Sequence, residues 1–179
     1  MAEAFSNKLV RAAGIVTTSS AGSIGALATT ITGISTGGVA VGDLVDNTNH
    51  IAGTKVTVVG VGQVTVDRAS TNTASATSQT VKFLTPTNVY SSPSATKSIL
   101  IGGTFANTTN SQVNLTVVVN DNSTSIDALL ASKIPVPAGS SFVISDAGKT
   151  VLEGEDKIKV FCDTNGGIDV NLSILTGVN

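Results

Sequence analysis

The densest group of ligating side chains in this chain is LEGEDKI, where Glu153, Glu155 and Asp156 surround Gly154. Carboxylates so close together suit a hard cation, but a calcium loop needs about six oxygens converging at set spacings. That spacing is missing, so the stretch reads as a charged turn between two strands. Asp43 and Asp46 in VGDLVDN read as a polar strand end for the same reason. VGVGQV, from Val59 to Val64, has the glycines of a phosphate loop, yet it links two strands and no helix N-terminus follows to hold an anion.

His50, in DNTNHIAG, has no second His, Cys or carboxylate cluster beside it and reads as a loop residue. No Ser stands in a G-x-S-x-G elbow. The single Cys162 excludes an internal disulfide and a Cys-based zinc site, and reads as a small apolar strand residue. Asn107, Asn114, Asn122 and Asn171 fit N-x-[ST], which chance alone supplies in a chain so rich in Ser and Thr. No catalytic constellation is left. The expectation is a protein that is not an enzyme and has no cofactor or metal site.

Composition points the same way. The chain has one His, one Cys, one Tyr and no Trp, with 12% charged and 41% hydrophobic residues. General acid–base and nucleophilic catalysis need titratable groups in combination. Val, Ile, Thr and small polar residues instead favour sheet. The net charge is −2, Lys residues are scattered, and Arg11 and Arg68 stand far apart. Clustered cations are what displace counterions from phosphates, so no nucleic-acid partner is expected. MAEAFSNKLVRAAG carries Glu3 early and no apolar core, unlike a secretory signal. No apolar run is long enough for a membrane helix. Synthesis in a cytoplasm, without processing or a membrane partner, is the expectation.

The elements that would position these groups read almost throughout as strand, turn, strand. In GIDVNLSIL, Ile168, Val170, Leu172 and Ile174 share one face, and in KIKVFC so do Ile158, Val160 and Cys162. Pairing inward residues with inward ones sets Cys162 against Ile168 and Val160 against Val170, a bulged hairpin with Thr164–Asn165–Gly166 in its loop. A second hairpin sets Val56 against Val66 and Val58 against Val64, leaving Gly60–Val61–Gly62 as the loop. Lys55 then faces Asp67, an ion pair of about 0.2–1 kcal/mol.

Further strands are predicted at Ala28–Ile34, Val39–Asp46, Gln79–Leu84, Ser98–Asn107, Val113–Asn120 and Ser140–Ser145. Pro135 and Pro137 in IPVPAG mark a sheet edge or a connection. A helix fits only Ala2–Ala13 and SIDALLASK, and the second fits equally well as a strand crossing the sandwich. Residues Gly22 to Leu84 form a Gly- and Thr-rich block, and a second unit begins near Thr87.

The stretch from Ser98 to Leu175 resembles a small β-sandwich module of virion proteins from tailed bacteriophages, particularly those infecting marine cyanobacteria. The matching elements run in order: the strand Ile101 to Asn107, the strand Val113–Val119, IPVPAGSS from Ile134, KTVLEGEDKI from Lys149 and the closing DVNLSI. VGDLV, IAGTKV and VTVDRA (Val41 to Ala69) resemble a second recurrent phage element. The resemblance implies an insertion, with residues 22–85 as a small β lobe and residues 1–21 plus 86–179 as the sandwich. LVRAAGIVTT would then lie with the C-terminal domain.

The fold expected is all-β: an antiparallel β-sandwich, jelly-roll or immunoglobulin-like, with a second small β-rich lobe. The function implied is structural, a capsid decoration or cement protein located in the virion. Its partners would be the major capsid protein or other virion proteins and copies of itself, a trimer among the options. Phe161, outward by alternation, is the first contact residue expected, followed by Val59 and Val118; cover by a second sheet or the other lobe fits each of them equally well. The alternatives are a neck, collar or tail-fibre component, or a carbohydrate-binding module for host attachment, which aromatic content of 3% equips poorly.

Overall fold

The computed structural model describes residues 3–145 and 149–178, and every element among them is a strand. The chain divides into two units, Ile15–Pro86 and the combination of Met1–Gly14 with Thr87–Asn179. The strand β1 (Ala4–Ala13) belongs to the larger unit. The next six build the smaller one: β2 (Ile15–Ile24), β3 (Thr30–Thr32), β4 (Leu44–Asp46), β5 (Val56–Gly60), β6 (Gln63–Val66) and β7 (Ala76–Thr85). The larger unit resumes with β8 (Thr87–Ser91), β9 (Lys97–Asn107), β10 (Val113–Asp121), β11 (Ile126–Val136), β12 (Ser141–Ile144), β13 (Thr150–Leu152), β14 (Lys157–Cys162) and β15 (Ile168–Val178).

The first crossing falls at Gly14, earlier than the expected residue 21, because β2 pairs along its length with β7, from Ile15 opposite Thr85 onward. LVRAAGIVTT is therefore split. Only its first six residues lie with the larger unit.

The larger unit is an antiparallel β-sandwich. One sheet runs β1-β15-β9-β12, with β13 sharing the β12 edge of β9; the other runs β11-β10-β14-β8. Ile168, Val170, Leu172 and Ile174 face Leu115, Val117, Ile158 and Val160 in one buried core, joined by Leu100, Phe105 and Cys162. Inward and outward alternation along β14 and β15 is as read from the sequence. Their pairing is not. β14 bonds β10 and β8, whereas β15 bonds β1 and β9, so no hairpin joins them. Residues 163–167 carry the chain from one sheet to the other, with Gly166 at φ +59°. Matching apolar faces look into the same core whether two strands are neighbours or sit in opposed sheets, and parity cannot separate the two cases.

Ala2–Ala13, read as a helix, is the strand β1, though Ala2 lies outside the described residues, and SIDALLASK takes its strand reading, as part of β11. β11 is an edge strand with Pro135 opposite Asn114, the position expected of IPVPAG. Its register against β10 shifts twice near Val117.

The smaller unit is a six-stranded sheet, β4-β7-β2-β3-β6-β5, that closes on itself. Leu44 bridges Lys55, the Val45 N–H donates to the Thr54 carbonyl (2.8 Å) and the Val56 N–H to that of Asp43 (2.9 Å). Closure removes free edges and gives this small barrel an aliphatic interior of Ile24, Ile31, Val45, Val64, Val66 and Val81 around Phe83. In its hairpin Val56 pairs with Val66 as read, but a bulge at Thr57 sets Val58 against Thr65 and Val59 against Val64. The turn shrinks to Val61–Gly62, with Gly62 at φ +68°. One extra residue exchanges faces downstream: Val59 packs on the barrel core and Val58 is exposed. Lys55 and Asp67 do face each other. The Asp67 carboxylate accepts the Lys55 backbone N–H at 2.8 Å.

Candidate functional site

The acidic turn joins β13 to β14 and works as a clamp. Asp156 is buried, and its carboxylate accepts the backbone N–H groups of Glu153 (2.9 Å) and Asn122 (3.0 Å). Glu153 pairs with Lys97 at 2.9 Å, and Glu155 accepts from the Asn122 amide at 3.1 Å. Glu155 and Asp156 thus both engage Asn122, while Glu153 turns to Lys97. Among the described residues, no group of three or more His, Cys, Asp or Glu is placed to hold a metal ion.

The neighbouring turn after β10 is built on Asp121. Its carboxylate accepts the hydroxyls of Ser123 and Thr124, each at 2.7 Å, and their backbone N–H groups. Those donors, the Ser123 hydroxyl first, pull its pKa down to about 2. Asp43 has the same sort of role in the barrel, accepting the Ala40 N–H at 2.9 Å. The Tyr90 hydroxyl is also absorbed into structure, 2.8 Å from Ser98, which in turn lies 2.8 Å from Ser92.

His50 is a loop residue, as read. It follows β4 in an irregular segment, but its side chain is buried, 5% exposed, and neither ring nitrogen has a hydrogen-bond partner among the described residues. Burial pushes its pKa below the ordinary 6.5. The unfolded chain therefore takes up a proton near pH 6.5 where the folded barrel does not. Stability is complete above that value and falls as the pH drops below it. His50→Leu removes an unsatisfied buried polar group, so it is expected to leave stability at pH 7.5 unchanged or raise it by about 1 kcal/mol. Urea titrations at pH 7.5 and 5.5 are expected to show a loss for the wild type that is smaller in the variant. Equal losses in both would contradict this role.

The contact residues expected from alternation do not form an exposed surface. Phe161 and Val118 are each 1% exposed, and Val59 is half-buried on the barrel core. Phe161 and Val118 do lie on the face of their sheet away from the sandwich core, as the alternation required, but that face is covered at these positions.

Exposed apolar side chains occur on both sheets, Ile126, Leu129 and Leu130 of β11 among them, but those on the other sheet, that of β1, β15 and β9, fall in register. Register aligns Phe5 of β1 with Leu175 of β15, Leu175 with Ile99 of β9, and Ile99 with Val151 of β13. These four side chains form one row across four strands, opposite in parity to the buried Leu100, Leu172 and Ile174. Phe5 is 78% exposed and Val151 52%. A second row sets Leu9, also exposed, in line with Asn171, Thr104 and Val143. Beside it is a shallow depression of about 350 Å³ lined by Leu9, Arg11, Thr104, Ala106, Asp169 and Asn171. Apolar side chains gathered in register and mixed with Asn7, Asn171 and Ser173 have the composition of a protein contact surface.

Sequence reasoning missed this face because Phe5 and Leu9 fell in a segment read as a helix. The four-residue spacing that suits a helix face also keeps two residues on one side of a strand.

No family model, curated protein or solved structure matches the chain.

Proposed function

We propose that this chain is a non-enzymatic structural protein of a tailed-phage virion, a decoration or cement protein that adds contacts across the shell. The observation that carries the reading is the apolar row Phe5, Leu175, Ile99 and Val151 on the outer face of the sandwich, exposed at its two ends and half-buried between them. A rigid sheet face holds its side chains in place before contact, so little conformational freedom is lost on docking. The groups that might have done chemistry are instead tied into turns and core, as Asp156, Asp121 and Tyr90 are. The resemblance of Ile101 to Asn107, IPVPAGSS and KTVLEGEDKI to phage virion modules supplies the setting. Each bound copy would then stabilise the particle by mass action.

The test is the copy number of this protein in purified particles, by quantitative mass spectrometry against the major capsid protein. Hundreds of copies per particle are expected for a shell protein. About a dozen would overturn the reading in favour of the neck or tail, whose symmetry repeats few times.

A further inference from the structure

The free edge of β1 is self-complementary, and we propose that two copies of this chain associate along it, antiparallel, about a two-fold axis at Asn7. β1 ends its sheet, bonded to β15 on one side and, among the described residues, to no strand on the other. A long open edge is a template for another strand unless something blunts it. There is no Pro in residues 3–13, and the register shift that interrupts the ladder falls between Val10 and Ala13, at one end.

The side chains select the occupant. On the outer face β1 and the residue before it present Glu3, Phe5, Asn7, Leu9 and Arg11: acid, apolar, amide, apolar, base. Laid antiparallel on itself about Asn7, this order sets Glu3 opposite the partner's Arg11 and Phe5 opposite the partner's Leu9. Asn7 meets the partner's Asn7. Symmetry makes each unlike pair twice, as an isologous contact requires. On the inner face Ala4 meets the partner's Val10 and Ser6 meets the partner's Lys8.

Other registers lose this match. Sliding by two residues sets Phe5 against the partner's Asn7 or the partner's Arg11, and sliding by one turns the partner's sandwich over. The pairing groups are available: Glu3, Phe5 and Leu9 are exposed, and the Arg11 side chain is 91% exposed even with Asp169 at 3.8 Å. Paired this way, the two sheets become one, and the apolar row Phe5 to Val151 continues from one copy into the other. The proposal rests on the edge alone and stands or falls separately from the virion reading.

Sedimentation of the full chain at about 100 µM is expected to show a dimer. Arg11→Glu sets two pairs of carboxylates against each other and is expected to weaken association about tenfold; adding Glu3→Arg is expected to restore it. Asn7→Cys places two thiols on the axis and is expected to give a disulfide-linked dimer on mild oxidation, Cys162 being buried. Phe5→Cys, offset from its mate by about 14 Å, is expected not to link. A monomer or a trimer overturns the proposal. So does a dimer indifferent to charge reversal, or equal linking at positions 5 and 7.

Discussion

Phe5→Asp combined with Val151→Asp is expected to leave the fold intact and to weaken binding to virus particles at least about a hundredfold. Both side chains are exposed, so neither substitution removes core packing. In contact with a partner the wild-type pair would bury apolar area at about 25 cal/mol per Å², whereas two carboxylates would have to shed water without a partner charge. Together these effects amount to about 3 kcal/mol or more. The measurement is co-sedimentation with particles that lack the protein, and binding equal to wild type would remove this face from consideration. Val151→Asp alone separates the face from the β1 edge, since β13 sits at the opposite side of the sheet. It is expected to weaken particle binding and leave self-association unchanged.

Gly14→Val is expected to have the largest effect on folding. Gly14 lies where the chain leaves the sandwich for the barrel, at φ +107°, a conformation β-branched residues avoid. A Cβ there would stand 2.6 Å from that of Cys162 and 3.1 Å from the Thr164 carbonyl oxygen. Neither can retreat, because Cys162 is in the core and the Gly14 carbonyl accepts the Gly166 N–H at 2.8 Å. Backbone strain and overpacking together are expected to cost about 4 kcal/mol. Gly37→Ala is the control: a Cβ there meets nothing within 4 Å, so its urea midpoint should stay close to wild type. A Gly14→Val midpoint within error of wild type would contradict the packing described at this junction.

What could be read from the residues alone was the face that β14 and β15 turn inward. Ile168, Val170, Leu172 and Ile174 are buried together because a period of two is a property of the strand itself. Partner choice was not legible. Cys162 and Ile168 seemed to demand a hairpin because both face inward, yet they face each other's sheets across the core. The bulge at Thr57 was equally hidden: nothing in TKVTVVGVGQVTVDR announces it, and it exchanges Val58 with Val59. Phe161 shows a third limit. Alternation placed it away from the sandwich core, and only the folded chain shows that position to be covered. For the contact surface the obstacle was β1. AEAFSNKLVRAA has good helix formers, and its strand state comes from pairing with β15, more than 150 residues away in sequence.

The turns were more readable than the surface. LEGEDKI was recognised as a charged turn, and it is one, although Asp156 is buried within it. Its carboxylate is held by two backbone N–H groups from different loops, which the sequence has no way to announce. His50 is the same kind of case: a polar residue in a polar segment that the folded chain buries.

The most direct test of the central claim is a cryo-electron microscopy map of the purified particle. The expected result is density for this chain at many equivalent positions on the shell, with Phe5, Leu175, Ile99 and Val151 turned toward a neighbouring subunit. Density confined to the neck or tail, or a shell-bound copy with that row facing solvent, would contradict it.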